Sequence, residues 1–110
     1  MNSLSCECKV SFETGVYDER KSFEGELIFE KWEEILQPST AIVIAFEFAG
    51  KVAVIPAYVH RSEVIPRITS NEDERYANRV EFRSSGVPFV NLPQDEEWTV
   101  STKNARCFVL

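Results

Sequence analysis

Thr40–His60 reads TAIVIAFEFAGKVAVIPAYVH, two runs of Ile, Val, Ala and Phe on either side of Gly50-Lys51. The first run is interrupted only by Glu47, the pattern of a strand buried over much of both faces. A glycine in the first position of a two-residue loop supplies the positive φ of a type II′ turn. The stretch therefore predicts a β-hairpin with Gly50-Lys51 at its tip. Pro56 has no N–H to give to a ladder, so its strand is expected to lie at an edge there, or to bulge.

The segments on either side continue the β pattern. Cys6, Cys8, Val10 and Phe12 alternate with Glu7, Lys9, Ser11 and Glu13, which predicts a strand with one wet face and a turn at Thr14-Gly15. In residues 22–36 two periods compete. Phe23, Leu27 and Phe29 share a strand face opposite Glu24, Glu26 and Glu30, whereas Ile28, Trp32, Ile35 and Leu36 share a helical face. A strand near 22–29 running into a short helix near 30–36, stopped ahead of Pro38, reconciles them. Further strands are expected over Glu63–Thr69, around Val80 and Phe82, over Val87–Leu92, from Trp98 to Thr102 and from Ala105 to Leu110. Ser70–Ala77 is expected to be a loop or one helical turn, and Ser84-Ser85-Gly86 a three-residue turn.

These elements predict a mainly β fold, a β-sandwich or partly open barrel of seven to nine short strands with one short helix. The alternative is an α+β sheet with that helix on one face. With 110 residues and no repeat, linker or low-complexity segment, residues 1–110 are expected to form one domain.

Charge narrows the function. The chain carries a net −6, and Glu13–Glu34 alone holds eight acids (Glu13, Asp18, Glu19, Glu24, Glu26, Glu30, Glu33, Glu34) against Arg20, Lys21 and Lys31. Direct nucleic-acid binding is not expected, because phosphates are neutralised by Lys and Arg. Neither is docking on an anionic membrane. The longest apolar run, Ala41–Phe46, is far shorter than the ~20 residues of a membrane helix. No secretory leader pattern is visible at the start. With the odd count of three cysteines, this points to a reduced, cytoplasmic setting.

Four constellations could carry chemistry. Cys6, Cys8, Cys107 and His60 suffice in number for zinc, but Cys-x-Cys on an alternating strand is not a zinc knuckle, and no metal or other cofactor is expected. Cys107-Phe108-Val109-Leu110 matches a prenylation tail but lacks the second anchoring signal. His60 is the only histidine, beside Tyr58, Arg61, Ser62 and Glu63, and no nucleophile elbow or complete catalytic set accompanies it. The arginines of the second half alternate with acids, which reads as a mixed ion-pair surface.

The reading that follows is a small acidic, non-enzymatic interaction domain of the inhibitor or immunity kind. Glu24, Glu26, Glu30, Glu33 and Glu34, with Trp32 as an aromatic anchor, would engage a basic protein such as a toxin, a nuclease or a nucleic-acid-handling complex. The alternative is a small β-barrel that binds a ligand or acts as an enzyme in a pocket near His60. A contiguous acidic face would favour the first; a pocket with polar groups converging near His60 would favour the second.

Overall fold

The computed structural model describes residues 3–14, 21–30, 36–68, 74–94 and 96–110. They form six antiparallel strands: β1 (Ser3–Thr14), β2 (Lys21–Phe29), β3 (Ala41–Phe48), β4 (Lys51–Ile68), β5 (Glu74–Ser84) and β6 (Trp98–Val109). The strands close into a barrel in the order β1-β2-β5-β4-β3-β6, with β6 sealing the wall between β1 and β3. The protein is thus mainly β, as its patterning predicts.

Among the described residues the strands number six rather than the expected seven to nine, and they close into a barrel rather than forming a sandwich or an open one. Two expected breaks, between His60 and Glu63 and between Thr102 and Ala105, are absent because bulges carry the chain through. β4 runs unbroken through Pro56 and Pro66, with a shift in register between Val59 and Arg61 that makes His60 the extra residue. β6 is one strand because Lys103 and Asn104 together face Glu7, between the pairs Cys6–Ala105 and Cys8–Thr102. Val87–Leu92 is not a strand; its backbone pairs with the sheet at the isolated Val54–Val90 bridge. Residues 74–77, expected to be a loop, pair with β4 as part of β5. The short helix and the Thr14-Gly15 turn fall on residues 31–35 and 15–20, outside the described set. No helix occurs among the described residues, so none there is long and apolar enough to cross a membrane.

The β3–β4 hairpin forms one residue earlier than expected. Phe48 pairs with Lys51, so the loop is Ala49-Gly50, with φ of 50° and 78°. Positive φ at both loop positions makes it the I′ rather than the II′ turn. Pro56 sits where its missing N–H costs nothing. Val54 exchanges both backbone bonds with Val90, Asn91 Nδ2 donates to the Val52 carbonyl and Ser85 Oγ to that of Pro56. The even-numbered residues here thus turn their backbone groups away from β3.

The interior is filled by side chains. At one end Phe12, Phe23, Phe82, Phe89 and Trp98 interlock, with Phe12 stacked on Trp98 at 5.5 Å and Phe89 edge-on to Phe12 at 5.1 Å. Phe89 and Leu92 come from the β5–β6 connection and join the core at that end. Trp98 Nε1 donates to the Pro93 carbonyl, which holds the connection down. The strands elsewhere contribute Leu27, Ile42, Ile44, Ile55, Val59 and Val80, with the three cysteines.

Candidate functional site

On the outer face of β1, β2, β5 and β4, the register sets residues side by side. One row runs Glu7, Ile28, Arg79, Glu63; the next Lys9, Glu26, Glu81, Arg61; the next Ser11, Glu24, Arg83, Tyr58. His60 is inserted on β4 between the last two. The β2–β5 pairing joins residues as far apart in sequence as Glu24 and Arg83, which brings Arg79, Glu81 and Arg83 beside the β2 glutamates.

Arg79 is the hub of this lattice. Its Nη2 lies 2.6 Å from Glu63 Oε1 and 3.3 Å from Glu81 Oε1, and its Nε 3.7 Å from Glu26 Oε2. Arg61 Nη2 meets Glu81 Oε1 at 2.8 Å. The carboxylates of Glu26, Glu63 and Glu81 are therefore interleaved with guanidinium groups rather than gathered into an unbroken acidic field.

A groove of about 420 Å3 crosses this face, open to solvent along its length. Its floor is the backbone at Gly25 and Phe82. Four carboxylates (Glu13, Glu24, Glu26, Glu81) border it against two cations, Lys9 and Arg83, with His60 at one side. Gly25 is required here because β1 crosses very close. A Cβ would collide with the Lys9 carbonyl oxygen and come within 2.8 Å of Phe82 Cζ and Val10 Cα.

Of the residues singled out from sequence, Glu24 and Glu26 border this groove. Glu30 lies past the end of β2, roughly 20 Å along the chain from Glu24 at strand rise, and lines a separate cleft of about 520 Å3 with Glu7, Ile28 and Lys103. Glu33, Glu34 and Trp32 lie outside the described residues. Tyr58, Arg61 and Glu63 flank His60 on the outer surface, and Ser62 turns to Asn78, its Oγ donating to Oδ1 at 3.0 Å. Glu13, Glu81, Lys9 and Arg83 were not foreseen as site residues. Their alternation marks them as outward-facing, but only the β2–β5 pairing makes Glu81 and Arg83 neighbours of Glu24 and Glu26.

The thiols and the imidazole do not meet. Cys6, Cys8 and Cys107 are reduced and buried inside the barrel, while His60 is exposed outside it. Burial pushes Cys8 and Cys107 up to about 12 and Cys6 higher still, with smaller contributions from Cys107 on Cys8 and from Cys107 and Cys8 on Cys6. Such thiols stay protonated and act as small hydrophobes. Among the described residues no group of three or more His, Cys, Asp or Glu is placed to hold a metal ion. Cys107 is fully buried in a strand paired on both sides, which withholds it from a prenyl transferase.

The chain matches no known protein family, no curated protein and no solved structure. Geometry alone carries the functional reading.

Proposed function

We propose that this chain is a non-enzymatic protein-interaction domain of the inhibitor or immunity kind, which receives a basic segment of a partner protein in the groove over Gly25. The observation that carries the reading is the position of the negative surplus. On the charged wall Arg79 and Arg61 already reach Glu26 and Glu81, but Glu13 and Glu24, which border the same groove, have no Arg or Lys within ion-pair distance among the described residues. An extended segment bearing Arg or Lys would place its cations beside Glu13, Glu24, Glu26 and Glu81, as charge-complementary interfaces do. The packed interior turns the search for a binding surface to the outside. An open polar trough suits a peptide better than a small molecule, whose sites are concave and mostly apolar. Buried, reduced thiols suit a cytoplasmic setting.

A second reading rests on the bulge at His60. Bulges re-aim side chains beside functional sites, and this one sets the sole imidazole at the groove with Lys9 and Arg83. An anionic small ligand held by those three groups would be its consequence.

Titration with a short Arg/Lys-rich peptide at physiological salt, followed by NMR, separates the two. Shifts centred on Glu13, Glu24, Glu26 and Glu81 that Glu24→Lys with Glu26→Lys abolishes, and that His60→Ala leaves in place, are expected. Binding unaffected by that double reversal, or equal binding of an acidic peptide, overturns the reading.

A further inference from the structure

The opposite wall of the barrel has a different character. On the outer face of β6, β3 and β4 the register sets Phe108 beside Val43 and Pro56, and Arg106 beside Ala45, Val54 and Val90. The next row pairs Glu47 with Val52. Val43, Ala45, Val54, Pro56 and Phe108 are each partly exposed and lie outside the core cluster; Val52 and Val90 are 59% and 51% exposed. The edge of this sheet is not on offer, since Val54 and Val90 satisfy each other's backbone groups. Among the described residues nothing covers this apolar face, on the order of several hundred Å2, the size at which such patches mark binding surfaces.

We propose that this face is where two copies of the chain associate, sheet on sheet, about a twofold axis. The pattern is self-complementary. A line through Ala45 and Pro56 runs diagonally across the strands, and turning a second copy about it lays each residue over its mirror position. Val43 then meets Val54 of the second copy, Phe108 meets Val52, and Arg106 meets Glu47. Val43, Val54, Phe108 and Val52 are thus each matched with an apolar residue, and the two charges that interrupt the face are matched with each other. Such a diagonal axis sets the strands of the two copies near right angles, one of the two preferred ways for sheets to stack. An isologous contact of this kind closes on itself as a dimer. The area is modest beside the ~800 Å2 per partner of standard interfaces, so the dimer is weak and concentration-dependent. The face lies away from the groove over Gly25, so the dimer would leave both grooves open.

Sedimentation velocity on the full chain from about 1 μM to 1 mM tests this, spanning the affinity expected of a small interface. The expected result is a monomer–dimer equilibrium that Val54→Glu abolishes, with near-UV circular dichroism unchanged. Glu47→Arg and Arg106→Glu should each weaken association about tenfold, and the two together should restore it. A chain monomeric throughout the range overturns the proposal. So does a dimer that Val54→Glu leaves intact, or a charge-swapped double variant that stays monomeric.

Discussion

Arg67 Nη2 donates to Glu7 Oε1 at 3.0 Å, joining β4 to β1 across the two strands that separate them in the barrel wall. Neighbouring strands lie ~4.8 Å apart, and Arg67 is four residues beyond the Glu63 that shares a row with Glu7. The bond therefore requires the far part of the β4–β5 hairpin to curl back toward β1. Ala77, fully buried yet outside the core cluster, marks the same curl.

Glu7→Gln should release that clasp. Both partners are about a third exposed, so global stability should fall by no more than about 1 kcal/mol. Backbone amides of residues 63–67 should lose hydrogen-exchange protection while those of β1–β2 keep theirs. Equal loss throughout the barrel would count against a local clasp.

Gly25→Ala should destabilise by about 3 kcal/mol, because the added methyl meets backbone on β1 as well as the Phe82 ring, and backbone cannot swing aside. Urea unfolding measures it. A loss under 1 kcal/mol would show that β1 has room to move away.

Ala49→Gly should stabilise by up to about 1 kcal/mol, and Ala49→Asn by less, since alanine here occupies the left-handed region at φ 50° in a turn that favours Asn-Gly. The midpoint of denaturation should rise with an unchanged slope.

The thiols set an alkaline limit. Cys8 and Cys107 are pushed from 9.0 to about 12 in the folded chain, so between those values the unfolded state releases protons that the folded state keeps. Their contribution is whole below pH 9 and declines above it, by about 1.4 kcal/mol per pH unit for each thiol. Urea titrations at pH 8, 9 and 10 should show the fall, and Cys8→Ala should lessen its slope. Native protein at pH 8 should resist alkylation at all three cysteines.

The local chemistry of the fold was legible, and its long-range pairing was not. Alternation around Cys6–Glu13 and the apolar runs beside Gly50 identified β1, β3 and β4 because side-chain period is a property of the segment itself. The gap between His60 and Glu63 and the Lys103-Asn104 pair read as breaks because a bulge is set by the partner strand. The acidic character of β2 was equally visible, but Arg79, Glu81 and Arg83 stand beside it only through a pairing that skips β3 and β4. That is why Glu26, read from sequence as part of an acidic face, stands beside Arg79 in the described wall.

Because β6 supplies the wall on both sides of a seam, β1 waits for its second neighbour until Trp98–Val109 has been synthesised. Ser11 and Thr99, whose hydroxyls meet at 3.2 Å, are 88 positions apart. Assembly must pay that chain-closure entropy before any contact across the seam returns it, which places folding in the slow, millisecond-to-second range. A nascent chain cut short before β6 would leave the edges of β1 and β3 open to any passing strand.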